Sequence, residues 1–536
     1  MRCRAVAHLR AVGCRSLAVV AALFTVMAVM FAPQAMAADG SADYDTWADV
    51  AAAMDKQLQQ GQKEYKDGNT AGSTSDFMAA YNEIYVASNF TQVVTDNIGS
   101  DKQASQQQAF QVGKTYSIRQ AAQRIFDDFV EINFITSPEA IGIFTGAKDV
   151  KDMLFRLTAF VHKPLVKGKT LIFFDEVQVY PEVVTLIKFL VDEGSYRYAL
   201  SGSLLGIELN NLRSEPVGYL DVKEMFPLDL QEFYSAIGLS ADVLDVIRKN
   251  WEEMTPVDDF VHHELMRAFR LYLIVGGMPQ AVQTYLDSNN LQRVIDVQKS
   301  ILLEYQRDIM KYKVDDNNQK LYIQEIFQLI PSELNAKNKR FILKSLNQQA
   351  RFANYENSFL WLRDAGVALP TYNVEEPKLP LLLAKTRNLF KLFQNDVGLL
   401  ISQFADGIQL RLLNDEQFIN FGAIYENVVA QELKAHGFDL YYFNNKRLGE
   451  LDFVVEYKGQ VLPIEVKSGK DYDRHNALSN VMASTEYKIP HGLVLCNGNV
   501  EKKGKVTYAP IYMLMFLEKD SVQNVTYKMD LSGLKV

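Results

Sequence analysis

The densest chemistry in this sequence lies near its end. Asp452 sits within Gly449-Glu450-Leu451-Asp452-Phe453-Val454-Val455, and after twelve intervening residues Glu465 opens the triplet Glu465-Val466-Lys467. Residues two apart on a strand share a face, so Glu465 and Lys467 point the same way. With Asp452 on a neighbouring strand, the two carboxylates would hold Mg²⁺ through oxygens, and Lys467 would position water or stabilise charge on a phosphate. Glu426, on an amphipathic helical stretch over 423–435, is a third acid for the same spot. The plainer alternative is a binding platform whose acids are solvated or paired with Lys467 and the nearby Lys470.

A second constellation involves phosphate chemistry. Gly113-Lys114-Thr115 precedes helix-like sequence, and Leu171-Ile172-Phe173-Phe174-Asp175-Glu176 is an apolar strand ending in two acids. A Gly-Lys-Thr turn at a helix N-terminus puts backbone N–H groups around phosphates. Its lysine reaches the β- and γ-phosphates, and its hydroxyl holds Mg²⁺. Asp175 would hold the same Mg²⁺ through water, and Glu176 would polarise the attacking water. Alone, Gly-Lys-Thr arises often by chance and an Asp-Glu pair at a strand end is a solvated turn. The spacing between the two motifs joins them. Ser201 and Ser203, in Leu200-Ser201-Gly202-Ser203, are candidates to contact the γ-phosphate, or an ordinary strand-to-helix turn.

These residues need elements to hold them. Short β-rich runs over 129–135, 170–174 and 196–200 alternate with helical patterns, which predicts a doubly wound parallel sheet. From about 256 to 414 the pattern is mostly helical, and beyond 418 a helix, three strands, a helix and a strand follow. A chain of 536 residues calls for several cores. The expected organisation is α/β and multidomain: a signal segment over 1–37, an acidic helical module over 38–110, an incomplete phosphate-binding core over 111–253, a helical and winged-helix region over 254–415, and an α/β domain over 416–536.

Taken together, 111–536 resembles an AAA-type P-loop ATPase of the archaeal-like group with a C-terminal domain of PD-(D/E)XK nuclease-like fold. The resemblance rests on the motifs above and on Val217-Gly218-Tyr219, Met225-Phe226-Pro227-Leu228, Glu232-Phe233 and Gly276-Gly277-Met278-Pro279. It also rests on 358–367, Pro380, Phe390-Lys391-Leu392 and Asp396-Val397-Gly398-Leu399-Leu400, which are similar to a winged-helix segment. It implies ATP and Mg²⁺ as cofactors and nucleic acid as a partner of the winged-helix and C-terminal parts. One departure matters. The first glycine of G-x-x-x-x-G-K-[ST] belongs at position 108, where this chain has Gln108, and 96–108 is too polar to be the buried strand that leads into such a loop. A sheet lacking that strand, and weak or absent ATP binding, are the expectations.

The N-terminus points elsewhere. Arg2, Arg4, Arg10 and Arg15 precede a 16-residue apolar run over 17–32, and Ala35-Met36-Ala37 supplies a small-x-small cleavage pattern. The run is short for a membrane span, and no later stretch is long and apolar enough to cross a bilayer. Residues 76–99 are similar to the extracytoplasmic N-terminal region of bacterial iron permeases, without that family's Arg-Glu-x-x-Glu signature. Export contradicts the cytoplasmic ancestry that 111–536 implies. An exported protein linked to iron uptake and a non-functional fusion are therefore the alternative readings. A net charge of −9 argues against coating nucleic acid by bulk electrostatics. Lys337, Lys339, Arg340 and Lys344 form a local basic run, as a solvated face or a phosphate contact. Of the cysteines Cys3, Cys14 and Cys496, the first two lie in the signal segment, and one remaining thiol builds neither a disulfide framework nor a zinc site.

Overall fold

The computed structural model divides into two units, Met1–Gln108 and Ala109–Val536. The described residues are 56, 115–202, 218–311, 317–336, 339–404, 407–414, 416, 421–519 and 529. The signal segment and, but for residue 56, the acidic module thus lie outside them, as do Gly113, Lys114, Ser203 and Lys337. No helix among the described residues is long and apolar enough to cross a membrane.

A helix over 115–125 leads into a three-stranded parallel sheet of β1 (Asp128–Asn133), β2 (Thr170–Asp175) and β3 (Arg197–Leu200), in the order β1-β2-β3. Parallel neighbours need crossovers, and helices Val150–Val161 and Glu182–Glu193 supply them. Asp149 caps the first by accepting from the Asp152 amide at 2.8 Å, and Gly194, at φ +78°, ends the second. Every residue of β2 is buried, as its unbroken apolar run requires of a strand covered on both faces. Phe134, Phe144 and Phe174 form the aromatic centre of this core.

The order leaves no room beside β2 for the strand expected to be missing. Both edges of β2 are taken, by β1 and β3, so the gap is not beside Phe173. Among the described residues β3 pairs on one side only, and its Arg197 is exposed and Tyr198–Leu200 half-buried.

Beyond 218 the chain forms one continuous core reaching from Leu230 to Leu517. Helices Leu230–Ala236, Ala241–Glu253, Asp259–Val275, Pro279–Ser288, Leu291–Lys311 and Asn317–Asn335 precede a mixed sheet. That sheet contains β4 (Ala368–Val374), β5 (Lys385–Gln394), β6 (Tyr441–Asn445), β7 (Gly449–Tyr457), β8 (Gln460–Val466), β9 (Gly492–Cys496), β10 (Glu501–Lys503) and β11 (Val506–Pro510), in the order β10-β11-β9-β8-β7-β6-β4-β5. Here the structure departs from the expected boundary at 415. The hairpin β4–β5, read from the sequence as part of a winged-helix segment, does not stand apart. Tyr372–Val374 of β4 pair in parallel with Tyr441–Phe443 of β6, so the hairpin is the edge of the C-terminal sheet. Helix Phe421–Ala435 packs across β4, β5 and β8 and is buried almost throughout, because the helical layer covers its other side.

Candidate functional site

The first constellation closes around Asp175. Its side chain accepts from the Thr115 hydroxyl at 3.2 Å, from Asn133 Nδ2 at 3.0 Å and from the Ser201 hydroxyl. Thr115 lies in the helix described over 115–125, Asn133 ends β1 in register with Asp175, and Ser201 follows β3 with its amide bonded to the Phe174 carbonyl. The parallel sheet therefore delivers its strand ends to one edge, where open α/β sheets bind ligands. Thr115, Asp175 and Ser201 are all buried. A carboxylate and a hydroxyl at this separation are hard oxygen donors and fit Mg²⁺. Glu176, also buried, takes the left-handed conformation at φ 60° and receives a hydrogen bond from Gln178 Nε2. A non-glycine residue held in that region at a strand end is the kind of local strain that gathers at functional sites. Asn133 was not found from the sequence, and its position, facing Asp175 at the end of the neighbouring strand, was its only signal.

The second constellation also closes, but around lysines. β7 and β8 pair with Phe453 opposite Ile464, so Asp452 and Glu465, one step further, share a face. Asp452 Oδ2 accepts from the Val466 amide at 2.9 Å, and Glu465 pairs with Lys467 at 3.0 Å. Glu426 is gripped at both oxygens: Oε1 by Lys339, and Oε2 by Lys391 at 3.3 Å. Lys391 reaches Glu450 as well, at 2.9 Å, with its own side chain fully buried. Arg340 lies 3.9 Å from the other Glu450 oxygen.

Titration follows this geometry. Burial raises Asp452 well above the usual carboxylate range, and Glu426 and Glu465 add to it. Burial also raises Glu465 against the pull of Lys467. For Glu426 burial is outweighed by Lys391 and Lys339, which hold it low. Burial would lower Lys391, but its surrounding carboxylates hold it high.

Glu426, Asp452 and Glu465 thus come together with Lys467 in one place, with Glu426 the acid most fully paired. Both Glu426 oxygens are taken by ammonium groups, whereas Asp452 is bonded through Oδ2 to an amide and Glu465 through Oε2 to Lys467. Among the described residues no group of three or more His, Cys, Asp or Glu side chains is arranged to hold a metal. The basic run also reads differently in three dimensions: Lys339 and Arg340 turn inward as ion-pair partners, and Lys344 is exposed. Lys391, Lys339 and Glu450 were missed. The one available hint was a lysine inside the apolar run Leu389-Phe390-Lys391-Leu392-Phe393.

Comparison with known families gives three matches. Residues 109–234 match the model of an AAA domain, 266–409 a domain of unknown function (DUF8612), and 421–514 a domain of unknown function (DUF4143). No curated protein matches the chain significantly. The AAA match supports a P-loop domain of AAA type, and such a domain implies nucleotide binding, usually with Mg²⁺. The eight-stranded sheet draws β4 and β5 from the second matched segment and β6 to β11 from the third.

Proposed function

We propose that this chain binds ATP with Mg²⁺ through its AAA-type segment, weakly, and that its C-terminal sheet is a PD-(D/E)XK-like platform for a partner such as nucleic acid. The observation that carries the nucleotide reading is the meeting of Thr115, Asn133 and Ser201 on Asp175, four residues from four separate segments. Gly113 and Lys114 would cradle the phosphates, Thr115 and Asp175 would hold Mg²⁺, Glu176 would orient water, and Ser201 and Ser203 would face the γ-phosphate. Bound Mg²⁺ would supply neutralisation of the phosphate charge. Gln108 in place of glycine, and the polar stretch before it, support a loosened loop and hence weak binding.

The test is equilibrium binding of a fluorescent ATP analogue with Mg²⁺ to the full chain. Saturable binding weaker than the low-micromolar range is expected, lost in both Lys114→Ala and Asp175→Asn. Low-micromolar affinity would refute the loosened loop, and binding indifferent to both substitutions would refute the site.

A second reading is favoured by the arginine-rich start, the apolar run and Ala35-Met36-Ala37: the chain is processed and exported, as a protein linked to iron uptake. N-terminal sequencing of the mature protein decides this. A new terminus at about residue 38 supports export, and an intact Met1 opposes it.

A further inference from the structure

We propose that Arg363, Lys385 and Arg387, gathered around Tyr372 at the β4–β5 edge of the sheet, bind the phosphodiester backbone of a nucleic-acid strand. This rests on the platform reading above and names the surface that would hold the partner.

The edge is built to present cations. Tyr372 of β4 pairs with Phe390 of β5, but the next residue, Asn373, pairs with Thr386. Arg387, Asn388 and Leu389 therefore stand outside the ladder, and all three are exposed. A bulge of this kind bends a strand and re-aims a side chain, and here the side chain is an arginine. Lys385, at the foot of the bulge, lays its ammonium over the Tyr372 ring, 3.6 Å from the centroid. Arg363 comes from a separate element, the last turn of helix Phe352–Asp364. Burial raises the Tyr372 hydroxyl, and the nearby Arg363 guanidinium pulls it back.

These charges are only partly compensated. Arg363 has a carboxylate, Asp364, at 2.7 Å. Among the described residues, neither the Lys385 nor the Arg387 side chain is in an ion pair. Burial lowers the Lys385 ammonium, Arg363 and Arg387 lower it further, and Asp439 alone opposes them. Asp439 itself lies 3.8 Å from Lys519, and Glu356 is the remaining acid acting on Tyr372. In a chain of net charge −9, cations held this close repel one another until an anion joins them. Guanidinium forks and an ammonium match phosphate oxygens in charge and in hydrogen-bond geometry.

A lipid headgroup offers the same phosphate, and Leu382 and Leu383 are exposed on the loop beyond the ladder. The charges of that loop favour the nucleic-acid strand. Lys378 is already paired with Glu376 and Glu486, and Glu375 is exposed beside them, so the leucines would approach an anionic membrane together with unneutralised acid.

Fluorescence anisotropy of a short labelled DNA strand, titrated with the full chain at several salt concentrations, tests this. The parent is expected to bind with an affinity that falls as salt rises. Lys385→Gln combined with Arg387→Gln should weaken binding by about tenfold or more and reduce the log–log salt slope by roughly 0.7 per charge removed, whatever the base sequence. Arg387→Glu should weaken binding more than Arg387→Gln does, as a charge effect requires. Lys249→Gln, at an exposed lysine elsewhere, should change affinity less than about twofold. If the double variant misfolds by circular dichroism, Arg387→Glu still decides, because Arg387 is exposed and outside the ladder. DNA binding that these substitutions leave unchanged would overturn the inference and leave the platform reading in place. A parent that binds no DNA would overturn both. Sedimentation with phosphatidylserine vesicles is the last arm: vesicle binding lost in the double variant, with no DNA binding, would give the site to lipid and overturn the inference as well.

Discussion

The Leu230 amide donates to the Glu432 carboxyl at 2.9 Å across 202 positions of sequence, tying the first helix of the helical layer to the helix that covers the C-terminal sheet. Tyr272 lies 3.5 Å from the same Glu432 oxygen, and His436 approaches both Glu432 and Asp229 at 3.8 Å. Burial pushes the Glu432 carboxyl up to about 8, with His436 opposing and Asp229 and Glu232 adding to the rise. Asp396, buried at the Gly277 amide, is raised to about 6 by the same cause.

A carboxyl whose folded value lies above its unfolded one binds its proton more tightly when folded. Its stabilising contribution is complete below the unfolded value near 4.5 and is lost as pH rises through about 8. Denaturant unfolding at pH 5, 6.5 and 8.5 is therefore expected to show the region beyond 218 weakening toward alkaline pH, by an amount on the order of a few kcal/mol. Glu432→Gln, neutral at every pH, should remove Glu432's share of that slope and raise stability at pH 8.5, with Asp396, Asp452 and Glu465 supplying the remainder. An unchanged slope would mean that Glu432 is ionised in the native protein.

Gly277 is fixed by contact. A Cβ there would lie 2.1 Å from the Leu228 carbonyl oxygen and 2.8 Å from its nitrogen, and the Leu228 amide already bonds to the Gly277 carbonyl at 2.7 Å. Backbone against backbone leaves nothing to give way. Gly277→Ala is expected to cost about 3 kcal/mol or more in chemical denaturation. Gly142→Ala, with nothing within 4 Å of its added carbon, should stay within about 0.5 kcal/mol.

The place of β4–β5 in the sheet makes a statement about fragments. A piece spanning 416–536 loses that edge and also Lys391 and Lys339, leaving Glu426 buried and uncompensated. Breaking a buried pair from one side costs roughly 3–5 kcal/mol. Such a fragment is expected to lack a cooperative thermal transition and to bind hydrophobic dyes, whereas 218–536 should unfold in one transition. A cooperatively folded 416–536 would show that the sheet is complete without its hairpin.

The sequence by itself determined what lies within a few residues or within one motif. Strands β1 to β3 were legible because each is a short apolar run between helical patterns, and Thr115, Asp175 and Ser201 stood out as polar residues beside those runs. Glu465 and Lys467 are put on one side by strand periodicity, but Asp452 joins them only through the register of β7 against β8. The tertiary structure decided who neutralises whom. Lys391 comes from a hairpin that reads locally as an independent wing, and Lys339 from a charge run that reads as solvated surface. Nothing in either segment states that they end on Glu426, because electrostatic compensation of a buried carboxylate is set by distance in space, and only the pairing of β4 with β6 brings those charges within reach.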